Sequence, residues 1–342
     1  MGKRKQSEAA ASSRQLVRLS ERIWTATGDR DAFVAALSDP QPDPPTILWT
    51  RPRPDPLPPD LAPLAPVDWQ PVFVDRLPLG TRPGQHPLHQ QGHFYCLDLS
   101  SVFAASVVQA ITPRPRVVVD LCAAPGGKSL FLWAALAPEV LLCNEVIRKR
   151  VKILIANLKR CGMTQARVMN LDPAAMVTAP TPEQPALAHS VDLVLVDAPC
   201  SGQSLLAKGQ KVPGCFHPVT LQRNASRQKR ILAAAATLVR PGGHLAYMTC
   251  TYAPEENEQV GRWFQKKFPD FQPQRVPPLA AYQSPLCDWP CYRLWPQLGL
   301  GAGAFTSLWQ RSEGSGVAAQ PLDLAFITDH SFEIYGRDDG EP

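Results

Sequence analysis

Two cysteines follow predicted strands at positions where a nucleophilic thiol could act. One is Cys200, within the segment Asp197–Gly202, and the other is Cys250, within Thr249–Tyr252. A lone cysteine is usually a small buried hydrophobe. Because a free thiol titrates near ~8.5, a nucleophilic cysteine needs surroundings that stabilise its anion or accept its proton. Since both cysteines leave strands that should be sheet neighbours, and Asp197 lies beside one of them, we predict that the two thiols and the acid face a shared cleft.

A loop of small residues follows another predicted strand, which ends at Asp120. The loop consists of Cys122, Ala123, Ala124, Pro125, Gly126, Gly127 and Lys128. Small residues let backbone amides approach a ligand closely, and the helix that begins here presents its positive end to carboxylates or phosphates. A phosphate-binding loop would need Gly at position 122, and a dinucleotide fingerprint would need Gly-x-Gly-x-x-Gly. The sequence has neither, so the loop is a candidate for another ligand.

Two acidic residues close the strands that come next. Glu145 lies 25 residues after Asp120, and an acid there can accept hydrogen bonds from both ribose hydroxyls of an adenosine cofactor. Asp172 follows the third strand and could contact adenine. A single acid after a strand is more often a helix cap or a turn residue. In series with the loop of small residues, however, these acids favour a nucleoside-binding site.

The elements that carry these residues alternate between strand and helix. The predicted strands cover residues 117–121, 140–145, 167–170, 191–197 and 245–249. The predicted helices cover residues 129–136, 147–158, 220–239 and 255–268. This alternation predicts an α/β fold with a mostly parallel sheet and helices on both faces. Such sheets bind ligands outside the carboxyl ends of their strands, where the residues named above fall.

Three regions are distinguished by composition and charge. Residues 1–85 are predicted to form a small N-terminal module, with helical spacing over 13–37, dense proline over 40–66 and an edge strand near 46–50. It could be a packing appendage or an RNA-binding one. A catalytic domain is expected over 86–313, and an acidic tail over 314–342. The tail has a net charge of −5 and the whole chain +5, so residues 1–313 carry +10. A basic body suits a polyanionic partner.

Composition also argues against several other classes of protein. There is no run of about twenty apolar residues, so no membrane span is expected. No apolar stretch follows the first charged residues, so no secretory signal is expected either. The nine cysteines are an odd number in a long chain, which favours reduced thiols in a cytoplasmic protein. Two clusters could suggest metal, but neither belongs to a spaced ligand set, and no metal is expected. These clusters are Cys287 with Cys291, and His86 with His89 and His93.

The motifs together resemble those of the Nop/Sun family of S-adenosylmethionine-dependent RNA cytosine-5 methyltransferases. The similarity covers roughly Gly92–Arg311, and its most specific parts are Ala-Ala-Pro-Gly-Gly-Lys-Ser, Asp-Ala-Pro-Cys-Ser-Gly, Thr-Cys-Thr and Pro254–Glu258. The resemblance implies a Rossmann-like class I methyltransferase core with a seven-stranded sheet. It also implies that S-adenosylmethionine is bound by the loop from Cys122 to Lys128, together with Glu145, Arg150, Asp172 and Asp197.

The resemblance further implies a covalent mechanism, in which Cys250 attacks the base and Cys200 assists release of the product. Attack of a thiolate on carbon 6 of cytosine gives carbon 5 enamine character, so that carbon 5 can take a methyl group. Asp197, in its acid form or sharing a proton, can hold or protonate ring nitrogen 3. Cys200 or a water is the candidate base for the proton on carbon 5. An unstacked base is required, which favours single-stranded, loop or flipped RNA.

Other functions stay open from the sequence alone. The same fold could methylate a non-cytosine acceptor, which needs no paired thiols, or the chain could be a non-catalytic RNA-binding factor. As substrate, ribosomal RNA is favoured over transfer RNA on the habits of the family. The loop Gln203–Phe216, together with Gln297 and Gly301–Phe305, departs from the family pattern. These departures affect the expected RNA contacts and leave the cofactor loop and thiols unchanged. The sequence does not indicate an oligomeric state.

Overall fold

The computed structural model describes residues 14–163, 166–177, 187–314, 316–320 and 334–335. The α-helices span 14–23 (α1), Thr27–Ser38 (α2), Pro87–Gln90 (α3), Leu99–Ala105 (α4), Gly127–Leu136 (α5), Arg148–Arg160 (α6), Pro218–Leu238 (α7) and Glu258–Lys267 (α8). The β-strands span Thr46–Trp49 (β1), Val74–Arg76 (β2), Phe94–Cys96 (β3), Val117–Asp120 (β4), Val140–Asn144 (β5), Ala166–Met169 (β6), Val191–Asp197 (β7), Val239–Thr249 (β8), Phe271–Pro273 (β9), Tyr292–Leu294 (β10), Ala304–Arg311 (β11) and Ile334–Tyr335 (β12).

Within the described residues the central sheet has nine strands, with the spatial order β10-β11-β8-β7-β4-β5-β6-β12 and β9 paired to β11. Strands β8, β7, β4, β5, β6 and β12 run parallel, whereas β9, β10 and β11 are antiparallel additions at one edge. The predicted mostly parallel sheet is therefore present. It has nine strands rather than seven because short strands, including the two-residue β12, extend it.

The parallel strands divide the core into two layers. Strand β4 is buried at every position, as expected of a β-branched run between two layers of helices. Val118 packs into one apolar cluster, whereas Val117 and Val119 pack into the cluster on the opposite face. This alternation follows from the two-residue repeat of a strand. The helices on both faces hold the sheet rigidly, and its carboxyl edge can therefore position side chains accurately.

The N-terminal residues form a small antiparallel sheet and two helices that pack against the catalytic region. The sheet has the order β2-β1-β3, so it joins residues on both sides of the predicted boundary at residue 85. Helices α1 and α2 share an apolar cluster with Phe216 and Tyr252. The single helix expected over 13–37 is interrupted at residues 24–26.

The described ranges also bear on the expectations for membrane, metal and tail. None of their helices combines the length and apolar character that a bilayer crossing requires. Within these same ranges, no three or more His, Cys, Asp or Glu side chains are grouped so that they could hold a metal ion. In the predicted acidic tail, β12 pairs in parallel with β6. Most of the tail, including residues 321–333 and 336–342, lies outside the described residues.

Candidate active site

The predicted site residues all lie at the carboxyl edge of the parallel strands. The loop from Cys122 to Lys128 follows β4, Glu145 follows β5 and Asp172 follows β6. Asp197 ends β7, Cys200 lies just beyond it, and Cys250 follows β8. Because β7 pairs with both β4 and β8, the loops that follow these three strands are neighbours. The sheet therefore brings together residues that are far apart in the sequence.

The two thiols are in direct contact. The Sγ atoms of Cys200 and Cys250 are 3.2 Å apart, which places them within hydrogen-bonding distance of each other. Of the nine cysteines, all of which lie in described ranges, only Cys250 is exposed. The backbone N–H of Ser204 donates to the carbonyl oxygen of Cys250 at 3.1 Å. The cysteines thus line one cleft, as the sequence predicts, and Cys250 is the one accessible to a ligand.

The environment of the thiols separates their pKa values. The hydrogen bond from Cys200 lowers the pKa of Cys250 below the ordinary thiol value, and the charge of Lys128 and the Ser204 hydroxyl act in the same direction. The shared hydrogen bond and burial raise the pKa of Cys200 well above the ordinary value. A thiol that donates to a neighbouring thiolate stabilises that thiolate. The pair therefore favours a Cys250 thiolate beside a protonated Cys200.

Asp197 and Lys128 form an ion pair next to the thiols. Lys128 Nζ lies 2.6 Å from Asp197 Oδ2, although the two residues are 69 positions apart in the chain. Burial opposes the charge on Lys128, but the carboxylate of Asp197 raises the pKa of Lys128 above its ordinary value. An ammonium group at this distance forms a charge-assisted hydrogen bond with the carboxyl group of Asp197. The sequence did not identify Lys128 as the partner of Asp197.

The loop after β4 owes its small residues to both conformation and packing. Gly126 has a φ of 115° and precedes α5, a conformation that disfavours residues with a Cβ. A Cβ at Gly127 would lie 2.7 Å from Leu97 Cδ1 and 3.0 Å from Tyr95 Cε1. Packing against residues 95–97 therefore favours a glycine at position 127. That role depends on β3 and could not be read from the loop itself.

Glu145 has the features expected of a residue that binds ribose hydroxyls. Its side chain is almost fully buried, and its Oε1 accepts a hydrogen bond from the N–H of Ile147 at 2.8 Å. Its Oε2 lies 2.9 Å from Arg150 Nη1 in an ion pair, but it accepts no hydrogen bond from the residues that the structure describes. A carboxylate oxygen has two lone pairs, so Oε2 can accept a hydrogen bond from a ligand hydroxyl in addition to its ion pair with Arg150.

Arg150 and Asp172 complete the predicted cofactor residues in different ways. Arg150 contacts Glu145 and donates from Nη2 to the carbonyl oxygen of Ala124, so it ties the loop after β4 to the end of β5. Asp172 is exposed, and its Oδ1 accepts a hydrogen bond from the N–H of Ala174 at 2.9 Å. Asp172 thus has the turn-capping role that the sequence left as its alternative, at a position just beyond the carboxyl end of β6.

Sequence reasoning missed the side chains that support the Cys200 segment. Glu256, which was expected in the first turn of a helix, instead precedes α8. Its Oε2 accepts hydrogen bonds from the N–H of Ser201 at 3.0 Å and from Gln228 Nε2 at 2.8 Å. Gln228 Nε2 also donates to the carbonyl oxygen of Pro199 at 3.1 Å. The repeated acids of Pro254–Glu258 were the available signal, but their partners come from distant elements.

A second buried group holds the segment after Cys250. Arg293 forms a two-point ion pair with Glu258, with Nε–Oε1 and Nη2–Oε2 distances of 2.6 Å each. Arg293 Nη1 also donates to the carbonyl oxygen of Tyr252 at 3.2 Å. A guanidinium group fixes a carboxylate in both position and orientation. The chain on the far side of Cys250 is therefore held by α8 and β10.

Comparison with known proteins agrees with this arrangement. A family described as 16S rRNA methyltransferase RsmB/F matches residues 108–309. The chain is 35% identical over 197 residues to ribosomal RNA small subunit methyltransferase F of Escherichia coli O139:H28 (strain E24377A / ETEC). That match covers 57% of this chain and 39% of the relative. The chain thus spans about two fifths of the length of the curated relatives it matches.

Solved structures share the fold. A methyltransferase homologue from Pyrococcus horikoshii superimposes with a TM-score of 0.64 and 19% identity, over 86% of this chain and 98% of that one. The structure of NSun6 from Pyrococcus horikoshii with SFG gives a TM-score of 0.54 and 23% identity, over 67% of this chain and 56% of that one. The predicted Rossmann-like methyltransferase fold is therefore confirmed.

Proposed function

The chain belongs to the RsmB/F family of methyltransferases, and on this premise we propose that it methylates carbon 5 of cytosine in RNA, with ribosomal RNA favoured over transfer RNA. The observation that carries the proposal is the contact between the two thiols, whose Sγ atoms are 3.2 Å apart at the carboxyl edge of the sheet. Transfer of a methyl group to an amine or another ordinary acceptor needs no such pair. A covalent route through cytosine needs one thiol to attack and one group to assist release.

The residues after β4 and β5 would hold S-adenosylmethionine, which supplies the methyl group when bound. The carboxylate of Glu145, whose Oε2 accepts no hydrogen bond from the residues that the structure describes, can accept hydrogen bonds from the ribose hydroxyls. Arg150 holds that carboxylate and the loop in place, and Asp172 borders the adenine side. The residues from Cys122 to Lys128, which run from the end of β4 into the first turn of α5, give the backbone surface on which the rest of the cofactor can lie.

The thiol of Cys250 performs the first step on the base. Its thiolate attacks carbon 6 of cytosine, so that a sulfur–carbon bond forms and the electron pair of the 5,6 double bond moves towards carbon 5 and the ring. Asp197, in its acid form, donates its proton to ring nitrogen 3 as negative charge develops there, and the ammonium of Lys128, 2.6 Å from Asp197 Oδ2, stabilises the carboxylate that results. Preorganised charge of this kind is a major source of transition-state stabilisation.

Release of the product reverses the first bond. After methylation, a water, or Cys200 once its own proton has passed to solvent, removes the proton from carbon 5, the 5,6 double bond forms again, and the electron pair of the sulfur–carbon bond returns to Cys250. Since Cys200 contacts Cys250 directly, it can also hydrogen-bond to the departing thiolate. The base must leave its stack to expose its ring to these groups, which favours single-stranded or flipped RNA.

The test uses the purified protein, labelled S-adenosylmethionine and ribosomal and transfer RNA. Wild-type protein is expected to form 5-methylcytosine, identified by mass spectrometry of the digested RNA. Cys250→Ala should reduce product to background, because no thiol remains to attack carbon 6. Cys200→Ala should accumulate an RNA–protein adduct that survives denaturing electrophoresis, because attack proceeds while release is slowed.

Two results would contradict the proposal. Methyl transfer retained by Cys250→Ala would indicate an acceptor other than carbon 5 of cytosine. RNA binding without methyl transfer by the wild-type protein, under conditions where S-adenosylmethionine also binds, would indicate a non-catalytic RNA-binding factor. Cys287→Ala is the matched control, since Cys287 also lies 3.2 Å from a second thiol, Cys291, but its hydrogen bonds go to Cys291 and Trp289 rather than to Cys200 or Cys250. It should methylate RNA as the wild type does.

A further inference from the structure

Helix α7 carries an unusual distribution of charge. Its 21 residues, Pro218–Leu238, include the cations Arg223, Arg227, Lys229 and Arg230 and no Asp or Glu. Arg223, Arg227 and Arg230 are exposed and follow each other at spacings of four and three residues. These spacings place side chains on the same face of a helix. We call this surface the arginine face.

The arginine face borders an open groove. The groove has a volume of about 610 Å³ and is lined by Val219, Gln222, Arg223, Ser226, Arg227 and Arg230. None of the three arginines forms an ion pair with an acidic side chain in the described part of the chain. Arg227 Nη2 donates to Asn224 Oδ1 at 2.7 Å, which orients one guanidinium. The groove therefore presents uncompensated positive charge together with polar groups.

The opposite face of α7 touches the candidate active site. Gln228 is buried and donates to the carbonyl oxygen of Pro199, the residue before Cys200, at 3.1 Å. A helix is about 10–12 Å across with its side chains. The arginine face therefore lies about one helix diameter from the Cys200 segment. The fourth cation, Lys229, lies over the ring of Trp263 at 5.7 Å and belongs to the contact with α8.

We propose that the arginine face binds phosphates of the same RNA strand that offers its cytosine to the thiols. This rests on the proposed function. A guanidinium matches a phosphate group with two parallel hydrogen bonds, and the groove adds Gln222 and Ser226 as further hydrogen-bonding groups. Phosphate contacts of this kind fix the register of a nucleic acid without reading its sequence. The face would thus hold the flanking strand while the base enters the cleft.

The test measures binding of the full chain to unstructured cytosine-containing RNA by fluorescence anisotropy over a range of salt concentrations. The variant replaces Arg223, Arg227 and Arg230 with Gln. Each phosphate contact that is lost should lower the slope of log K against log salt by about 0.7 for single strands. We therefore expect the slope to fall by about 2 and the affinity at moderate salt to fall at least about tenfold. An RNA too short to reach α7 from the thiols should bind both proteins equally.

A control variant removes the same charge elsewhere. It replaces Arg82, Arg114 and Lys267, which are exposed and lie outside α7 and the candidate active site, with Gln. This variant should keep the wild-type slope. Equal slopes for wild type, arginine-face variant and control would overturn the proposal. Displacement of the RNA by polyglutamate at matched charge would also overturn it, because the face would then suit an acidic polypeptide.

Methyl transfer measured on the same samples separates this proposal from the proposed function. If the wild-type protein methylates RNA but the arginine-face variant binds like the control, the arginine-face proposal is wrong and the function stands. If no protein methylates RNA but the arginine-face variant alone loses slope, the function is wrong and the RNA-binding surface stands. The wild-type protein and the arginine-face variant should show the same thermal unfolding midpoint. Exposed arginines that form no ion pair with a described acidic side chain contribute little to stability.

Discussion

The chemistry of the proposed nucleophile depends on side chains within reach of its sulfur atom. Cys250 accepts a hydrogen bond from Cys200, and the positive charge of Lys128 lies nearby. Both effects favour the thiolate, whereas desolvation by the surrounding protein and the charge of Asp197 oppose it. Because the net direction is a lowered pKa for Cys250, more of this thiol is ionised at neutral pH than of an ordinary cysteine.

This balance predicts the effect of removing one thiol. Cys200→Ala takes away the largest cause of the lowered pKa of Cys250, so the pKa of Cys250 should rise and its thiolate fraction at neutral pH should fall. The pH profile for alkylation of Cys250 by iodoacetamide, followed on its own peptide by mass spectrometry, should move to higher pH. Alkylation at pH 7 should slow several-fold. Cys287→Ala disrupts the second thiol pair and should leave the pH profile for alkylation of Cys250 unchanged. If Cys200→Ala also leaves that profile unchanged, the hydrogen bond from Cys200 does not lower the pKa of Cys250.

Much of the site was accessible from residue types, but the pairing of those residues was not. The thiols and Asp197 follow predicted strands, and neighbouring parallel strands must end at the same edge. Lys128 was assigned to the cofactor loop because of its place in that loop. Its contact with Asp197 joins residues 69 positions apart and depends on side-chain rotamers. Sequence spacing carries no information of that kind.

The loops at the carboxyl edge are held by elements that do not themselves carry the chemistry. Glu256 receives hydrogen bonds from the N–H of Ser201 and from Gln228 on α7. It is therefore a positioning residue that fixes the Cys200 segment against α7. The hydroxyls of Ser201 and Thr251, 2.7 Å apart, connect this segment to the one that carries Cys250.

We therefore expect Glu256→Ala to weaken both stability and methyl transfer. The substitution leaves buried donors on Ser201 and Gln228 without an acceptor, at a cost of about 1–3 kcal/mol for each unsatisfied group. The unfolding midpoint in urea should fall, and kcat should fall more than KM changes, since the loop rather than the cofactor site is disturbed. Glu255→Ala is the matched control because Glu255 pairs with Arg22 at the surface, where ion pairs are worth about 0–1 kcal/mol. Equal effects of both changes would contradict a positioning role for Glu256.

The parallel elements were predicted well because their signals are local. Strand β7 has the predicted bounds of 191–197, and β4 differs by one residue. Strand β8 was expected to begin at Leu245 but begins at Val239, because Pro241-Gly242-Gly243 has the composition of a turn. An irregularity between Val191 and Leu193 accommodates this segment in the ladder. Strand β11 pairs antiparallel with β8 and β9 over long sequence separations, which local patterns do not encode.

At the scale of the whole molecule, the N-terminal helices are part of the structure that surrounds the thiols. Phe33 on α2 is fully buried and packs edge-on against Tyr252, with ring centroids 5.0 Å apart. Trp24 lies 4.5 Å from Trp295 between ring centroids. Since Tyr252 is two residues from Cys250, these contacts couple the N-terminal module to the catalytic segment. The sequence left open whether this module packs or binds RNA, and its packing role gives a prediction.

Phe33→Ala should impair catalysis as well as stability. Removing a buried phenylalanine costs about 3–5 kcal/mol, and here the resulting cavity lies against Tyr252. Phe271→Ala is a matched control, because Phe271 is also buried but lies far from the thiols along β11. Phe271 on β9 pairs with Arg311 at one end of β11. The other end of β11, at Phe305, pairs with Thr249 next to the thiols. Both variants should lower the unfolding midpoint by similar amounts. At temperatures where both remain folded, only Phe33→Ala should lower kcat for methyl transfer, because only its cavity lets the segment bearing Cys250 move. If kcat falls equally in the two variants, α1 and α2 contribute general stability alone, and the positioning of Cys250 must come from α8 and β10.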